Sequence, residues 1–481
     1  MHDNKKYSGL LMPVASLPSD YGIGDFGKYS YEFVDILKDM EFKIWQLLPL
    51  NPLGFGNSPY QPYSSKAIDE LYLDLDEFYE LGLIDKPDNF NEEKTNIEYD
   101  AIREYKRQYI DIAFEKYEAE DEYLEFRKQA WVIKYAKFIE LKQKNNMILW
   151  TDWPLEDREF LNNHEDIEIS IVMERVIFGQ YFLFRQWLKL KEYANSKGII
   201  IMGDIPIYVG LDSEDVWSNR KQFLLDDDGR PVFIAGVPPD SFSATGQRWG
   251  NPIYDWDLMK EEGFKFWLER LNFTSKLFDT VRIDHFRAFD TYWKIPASCE
   301  TAMDGEWIEA PGYEFFDTLY ETYPDINIVA EDLGDLRPEV LVLKDHYGLK
   351  GMRIFEESIF YEGIELENPN TIIYTGTHDN RTLRAWYKDL SQDRVNVLDE
   401  IMRKYNIKNR NENLNIIEYM FNSNAQVAVI PMVDLINLDD NSRINTPGTV
   451  GSPNWEWKLD SFDIVKKYIE DIKTIINKTD R

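Results

Sequence analysis

With a single cysteine, Cys299, the 481-residue chain cannot close an internal disulfide, and a chain of this length buries enough surface to need none. A reducing compartment, the cytoplasm, is therefore expected. Histidine is equally scarce: there are five, none in an H-x-x-x-H pair, so neither a thiolate cluster nor a helical zinc site is expected and no metal is assigned. No apolar run approaches the roughly 20 residues that a membrane span requires. Lys5-Lys6 and the apolar residues 9–17 imitate a leader peptide, but Pro13 interrupts the run and no small-residue cleavage site follows. Gly22-Ile23-Gly24 continues into Asp-Phe-Gly instead of completing a dinucleotide loop, and no cofactor is expected. Basic residues number 54 against 87 acidic ones, a net charge of −33. That charge repels phosphate backbones and anionic lipid, which argues against nucleic acid or membrane as partners. Nothing in the chain points to an obligate protein partner, an internal repeat or a low-complexity tract.

What the chain does contain is a recurring alternation of short apolar or β-branched runs with helical stretches, the pattern of a parallel sheet wrapped by helices. Eight runs read as strands: 9–12, 44–50, 199–205, 280–286, 326–333, 351–355, 371–378 and 426–435. Eight parallel strands suit a closed (β/α)₈ TIM barrel, and one α/β catalytic domain over residues 1–481 is expected. About 150 residues separate the second run from the third, too many for one crossover helix. A large, mainly helical insertion is therefore expected at roughly 70–195. Within it Leu124, Trp131, Tyr135 and Phe138 fall on one helical face, and the helix through Phe184, Trp187, Leu188 and Tyr193 is predicted to stop at Gly198. Residues 208–256, rich in Asp, Gly, Pro and aromatics, read as a long irregular loop over the site, an insertion of roughly 207–260. Residues 461–478 read as an amphipathic closing helix.

Polar residues gather at the carboxyl ends of four of these strands: Asp204, then Arg282 and Asp284, then Glu331-Asp332, then His378-Asp379. In a barrel that end carries the active site. Arg282 and Asp284, two apart on a strand, leave the same face, and a guanidinium beside a carboxylate favours its ionised form. Glu331 would face other carboxylates in a partly dry cleft, which raises its pKa. One ionised and one protonated carboxyl flanking a glycosidic bond equip a site for displacement with retention. Aromatic residues make up 15% of the chain; most will be core, but Trp249 sits among Gln247, Arg248, Gly250 and Asn251, a polar setting that suits a sugar face.

These strand-end motifs resemble the four signature regions of the α-amylase clan, in the form found in the amylomaltase family, glycoside hydrolase family 77. Further segments match along the chain: Trp45-Gln46-Leu47-Leu48-Pro49-Leu50, Ser58-Pro59-Tyr60-Gln61, Gly203-Asp204-Ile205-Pro206-Ile207-Tyr208, residues 236–256, and Asn454-Trp455. The resemblance implies a 4-alpha-glucanotransferase acting on maltooligosaccharides and α-1,4-glucans. It implies Asp284 as nucleophile, Glu331 as general acid/base and Asp379 as the carboxylate that fixes sugar hydroxyls in the transition state. Ser58, Tyr60, Asp204, Arg282 and His378 would surround the reacting sugar. Gln247, Trp249 and Asn251 are similar to residues that arch over the glucan, and Asp240, His285 and Asn445 are further implied sugar contacts. Ala288, Arg381 and Val433 depart from the residues common at those positions, none of them catalytic. The other functions open to such a chain are an α-glucan hydrolase on the same scaffold and a non-catalytic glucan-binding protein.

Overall fold

The computed structural model describes residues 5–90, 95–164, 166–239, 243–361 and 368–481. Eight parallel strands form its centre: β1 (Tyr7–Leu11), β2 (Ile44–Gln46), β3 (Ile200–Pro206), β4 (Thr280–Asp284), β5 (Ile328–Ala330), β6 (Gly351–Ile354), β7 (Thr371–Tyr374) and β8 (Val427–Pro431). Pairing runs from β6 through β7, β8, β1, β2, β3 and β4 to β5. The remaining seam, between β5 and β6, is closed by a single parallel bridge at Val329 and Lys350, where the Ala330 N–H donates to the Lys350 carbonyl at 2.8 Å. The architecture is thus the expected α/β barrel, with helices between β2 and β3 and long loops over its C-terminal face.

Most strands stop earlier than their apolar runs do. The run 44–50 contributes only Ile44–Gln46, yet Leu47, Leu48 and Leu50 beyond it remain buried in the connecting loop. The run 426–435 contains β8 and then the helix Met432–Leu435. Apolar content reports burial, and burial continues past the last ladder hydrogen bond. The expected single face of Leu124, Trp131, Tyr135 and Phe138 is also divided. Leu124 lies on the short helix Asp121–Phe126 and is 41% exposed, whereas the other three lie on Ala130–Lys144. Residues 461–478 likewise form a short turn, Asp463–Lys466, before the helix Ile469–Lys478.

The 26-residue helix Ile171–Ser196 begins where the Ser170 hydroxyl accepts the Met173 N–H, an N-cap that satisfies one of the unpaired first-turn donors. At its far end Gly198 takes φ +79°, the Gly198 N–H reaches the Asn195 carbonyl and the Ile199 N–H reaches that of Ala194. This is the Schellman ending that a glycine at that position permits, and it delivers the chain directly into β3. Midway along the helix Trp187 is fully buried between Phe26 and Phe278, and its indole N–H donates to the Leu277 carbonyl at 3.1 Å. Phe278 in turn lies flat against β3 at Gly203, where a Cβ would come within 2.2 Å of the ring. Gly203→Ala is therefore expected to destabilise the fold by about 1–3 kcal/mol, the cost of overpacking a filled core. A lowered urea midpoint with unchanged slope is the expected result; an unchanged midpoint would show that Phe278 can move aside.

The stretch expected to be an irregular loop contains regular structure. Strands Phe233–Val237 and Gln247–Pro252 join Thr291–Pro296 and Glu306–Glu309 in a four-stranded antiparallel sheet. Gly, Pro and Asp in this region serve its turns. No helix among the described residues is long and apolar enough to cross a membrane.

Candidate active site

Adjacent strands β3 and β4 set Asp204 opposite Arg282 and Pro206 opposite Asp284. Side-chain alternation along β4 turns Arg282 and Asp284 to one face, and the guanidinium joins the two strands. Its Nη1 donates to both Asp204 oxygens at 2.7 Å, and its Nη2 donates to Asp284 Oδ1 at 2.8 Å. Arg282 and Asp204 are only 4% and 3% exposed. Burial opposes the guanidinium's charge, but Asp204 and then Asp284 outweigh it and raise the Arg282 pKa well above its ordinary value. A permanently charged donor thus faces one oxygen of Asp284, a charge-assisted hydrogen bond that fixes the carboxylate's orientation.

Glu331 leaves the chain one residue after β5. Its Oε2 accepts the His285 N–H at 2.7 Å and its Oε1 accepts the Leu333 N–H at 2.9 Å. Burial, and after it the negative charge of Asp284, push the Glu331 carboxyl up to about 7, against the opposing pull of Arg282 and the two N–H groups. The neighbouring carboxylates therefore differ in kind: one lies against a fixed cation, the other holds its proton into the neutral range. The second can donate a proton to a leaving oxygen and recover it later. His285, between them in sequence, takes φ +55° and turns the chain from β4 into the helical turn Phe286–Phe289. Burial pushes its imidazole down to about 4, so the ring is neutral at neutral pH.

The far wall comes from the loops after β7 and β8. The His378 ring stacks on Tyr60, with centroids 5.2 Å apart and planes 18° apart, and the Tyr60 hydroxyl donates to Asp204 Oδ2 at 2.7 Å. Asp379 Oδ1 accepts the Asn445 amide at 2.6 Å and lies 3.4 Å from His378 Nε2. Opposite them the strand Gln247–Pro252 presents Gln247, Trp249 and Asn251 on one face by simple alternation. The Trp249 ring meets His285 edge to face at 4.8 Å. The Gln61 amide ties the strand down, donating to Asn251 Oδ1 at 2.9 Å and to the Trp249 carbonyl at 3.3 Å.

Between these walls lies a cavity of about 320 Å³, a volume suited to a few sugar rings' polar and apolar faces. Ser58, Tyr60, Gln247, Trp249, Asn251, Asp284, His378, Asp379 and Asn445 line it. Asp204 and Arg282 lie behind this lining, and Glu331 and His285 adjoin Asp284. Asp240 lies outside the described residues. Gln61, Tyr208 and Trp455 also line the cavity and were not singled out by sequence, although each falls in a matching motif. Trp455, at φ +68°, packs near both Tyr60 and His378 with centroids 5.9 and 5.8 Å away. Asp332, grouped with the strand-end acids, turns away from the cavity and accepts the Met352 N–H and the Lys344 ammonium. Among the described residues no group of three or more His, Cys, Asp or Glu side chains is placed to hold a metal ion.

Comparison with known proteins identifies the family. The family model for glycoside hydrolase family 77, described as 4-alpha-glucanotransferase, matches residues 12–463. The chain is 38% identical to the 4-alpha-glucanotransferase of Streptococcus pneumoniae and 37% identical to that of Thermus thermophilus, in each case over 98% of both chains. Its fold superposes on the amylomaltase from Streptococcus agalactiae in complex with acarbose with a TM-score of 0.93 at 35% identity, covering 99% of this chain and 100% of that one. Likeness of this extent in sequence and in fold establishes common descent, and the chain belongs to the 4-alpha-glucanotransferases of glycoside hydrolase family 77.

Proposed function

We propose that the protein moves α-1,4-glucan segments from a maltooligosaccharide donor to the 4-hydroxyl of an acceptor glucan or of glucose, by double displacement through a covalent glycosyl-enzyme. The observation that carries this reading is the pairing of unlike carboxyls: Asp284 against Arg282 Nη2 at 2.8 Å, and Glu331 pushed up to about 7. Asp284 attacks the anomeric carbon while Glu331 gives its proton to the departing 4-oxygen. Once the leaving glucan departs, the Glu331 carboxylate takes the proton of an incoming 4-hydroxyl, whose oxygen displaces Asp284 and restores the original configuration. Asp379, held by Asn445, accepts hydrogen bonds from hydroxyls of the reacting ring, with His378, Tyr60 and Ser58 around it. His285, neutral and packed on Trp249, completes the wall without adding charge.

Because Glu331 must begin each cycle protonated, kcat/KM should fall as pH rises through about 7. A pH profile of maltotriose turnover checks this; a rate that stays flat well into the alkaline range would remove Glu331 from the acid role.

Transfer and hydrolysis share the intermediate, so product depends on whether water or a sugar hydroxyl stands beside Glu331. Water is far more concentrated, and an acceptor can win only if it is bound and oriented, a benefit worth effective molarities of about 10⁵ M or more. The sheet-backed strand bearing Gln247, Trp249 and Asn251, clamped by Gln61, supports that role. With maltotriose alone, free glucose and a ladder of longer maltooligosaccharides should form while total reducing ends stay nearly constant. Steadily rising reducing ends with no longer chains would make the protein a hydrolase, and no turnover would make it a binding protein. Trp249→Ala should shift partitioning toward water roughly tenfold, the effect of losing about 1.4 kcal/mol of ring contact. The relative of known structure was solved with acarbose, which supports a glucan-like oligosaccharide as ligand. Cytoplasmic maltodextrins, released from glycogen or starch, are the substrates we assign.

A further inference from the structure

We infer that Asp332 is a positioning residue for the transfer reaction: its carboxylate stands in for the missing ladder between β5 and β6 and fixes the main chain from which Glu331 emerges. The inference rests on the acid/base reading of Glu331 and extends it to a residue that touches no substrate. β5 is three residues long and, among the described residues, meets this neighbour in one bridge, from Val329 to Lys350 immediately before β6. Just past that bridge, where two main chains would otherwise be unpaired, Asp332 Oδ1 accepts the Met352 N–H at 2.6 Å and Oδ2 accepts Lys344 Nζ at 2.9 Å. Gly351 makes room for the carboxylate: a Cβ there would lie 2.3 Å from Asp332 Oδ2 and 2.7 Å from Lys344 Nζ.

The other side of the same segment is tied to β4. The Glu331 N–H donates to the Ile283 carbonyl at 3.0 Å, and the Glu331 carbonyl accepts the Phe286 N–H at 3.1 Å. Consecutive side chains thus point opposite ways, Glu331 toward Asp284 and Asp332 into the seam. Met352 carries the clamp further, since its Sδ accepts Arg282 Nε at 3.4 Å. Without Asp332 the seam is free to open at the end where the general acid leaves the barrel. A shift of about 1 Å in a catalytic group can cost on the order of 10²-fold in rate.

The charged groups facing Glu331 are Asp284 and Arg282 of β4, with neutral His285 beside them; burial is the largest influence on its proton. Loosening the segment admits water and lowers that affinity. Asp332→Ala should therefore reduce kcat on maltotriose by about 10²-fold with little change in KM. Its alkaline limb should move to lower pH. Formation of the glycosyl-enzyme from α-glucosyl fluoride, which needs little acid assistance, should change only a few-fold. Asp332→Asn keeps an oxygen for the Met352 N–H and should recover part of the loss. Gly351→Ala displaces the carboxylate while leaving Asp332 in place and should reproduce the same selective loss. These two variants carry the test if Asp332→Ala does not fold, as judged by thermal melting. Equal losses on both donors with an unmoved pH limb, while Glu331→Gln remains selective for maltotriose, would reduce Asp332 to a structural residue. A Glu331→Gln variant with no such selectivity would instead overturn the reading of Glu331 and this inference with it.

Discussion

Asp284→Asn is expected to fold normally, retain maltotriose binding and lose about 10⁴-fold or more in turnover, the scale seen when one member of a concerted catalytic group is removed. The amide keeps the volume of the carboxylate and can still offer Oδ1 to Arg282 Nη2, but it cannot form the glycosyl ester. Arg282 is not orphaned by the change, because Nη1 keeps both oxygens of Asp204 at 2.7 Å. The penalty of a buried unpaired charge, which would confuse lost chemistry with lost folding, is thereby avoided. Chromatography of maltotriose products alongside a thermal melt measures both quantities. Near wild-type disproportionation by a pure, folded variant would show that another group attacks the anomeric carbon.

Glu331→Gln should lose about 10²–10⁴-fold on maltotriose, the usual contribution of positioned acid catalysis. Its behaviour with α-glucosyl fluoride should differ sharply. Fluoride leaves with little proton donation, so the first displacement by Asp284 proceeds, whereas the second lacks a base to deprotonate the acceptor hydroxyl. A burst of fluoride followed by slow turnover is the expected trace. The glutamine can still accept one N–H from His285 or Leu333, but it carries no titratable proton, so the limb near pH 7 should vanish. Equal losses on the two donors, with no burst, would assign Glu331 a positional role instead.

Several parts of this arrangement were legible in the sequence for physical reasons. The eight strands were visible because each is a short apolar run between turn-forming residues, and Arg282 and Asp284 could be paired because strand alternation fixes their relation. Gly198 announced its helix ending because only a residue tolerant of φ +79° fits there. Strand ends were not legible, since Leu47, Leu48 and Leu50 are buried without belonging to the ladder. The antiparallel sheet was hidden by its turns, although the alternation Gln247, Trp249, Asn251 was its trace. Glu331 and Asp332 read alike as strand-end acids, yet one faces the site and the other the seam, a distinction set by whether Met352 and Lys344 or His285 and Leu333 offer donors. Trp455 joins Tyr60 and His378 only through a fold that brings residues nearly 400 apart in sequence together.

The most direct test of the central claim is to trap the covalent intermediate and locate it. Glu331→Gln incubated with α-glucosyl fluoride, quenched in acid and digested, should yield a peptide carrying a glucosyl residue on Asp284, seen by mass spectrometry and absent from the Asp284→Asn, Glu331→Gln double variant. A glucosyl residue on Asp379 or on any other side chain would contradict the assignment, as would fluoride release with no adduct from a variant that still turns over.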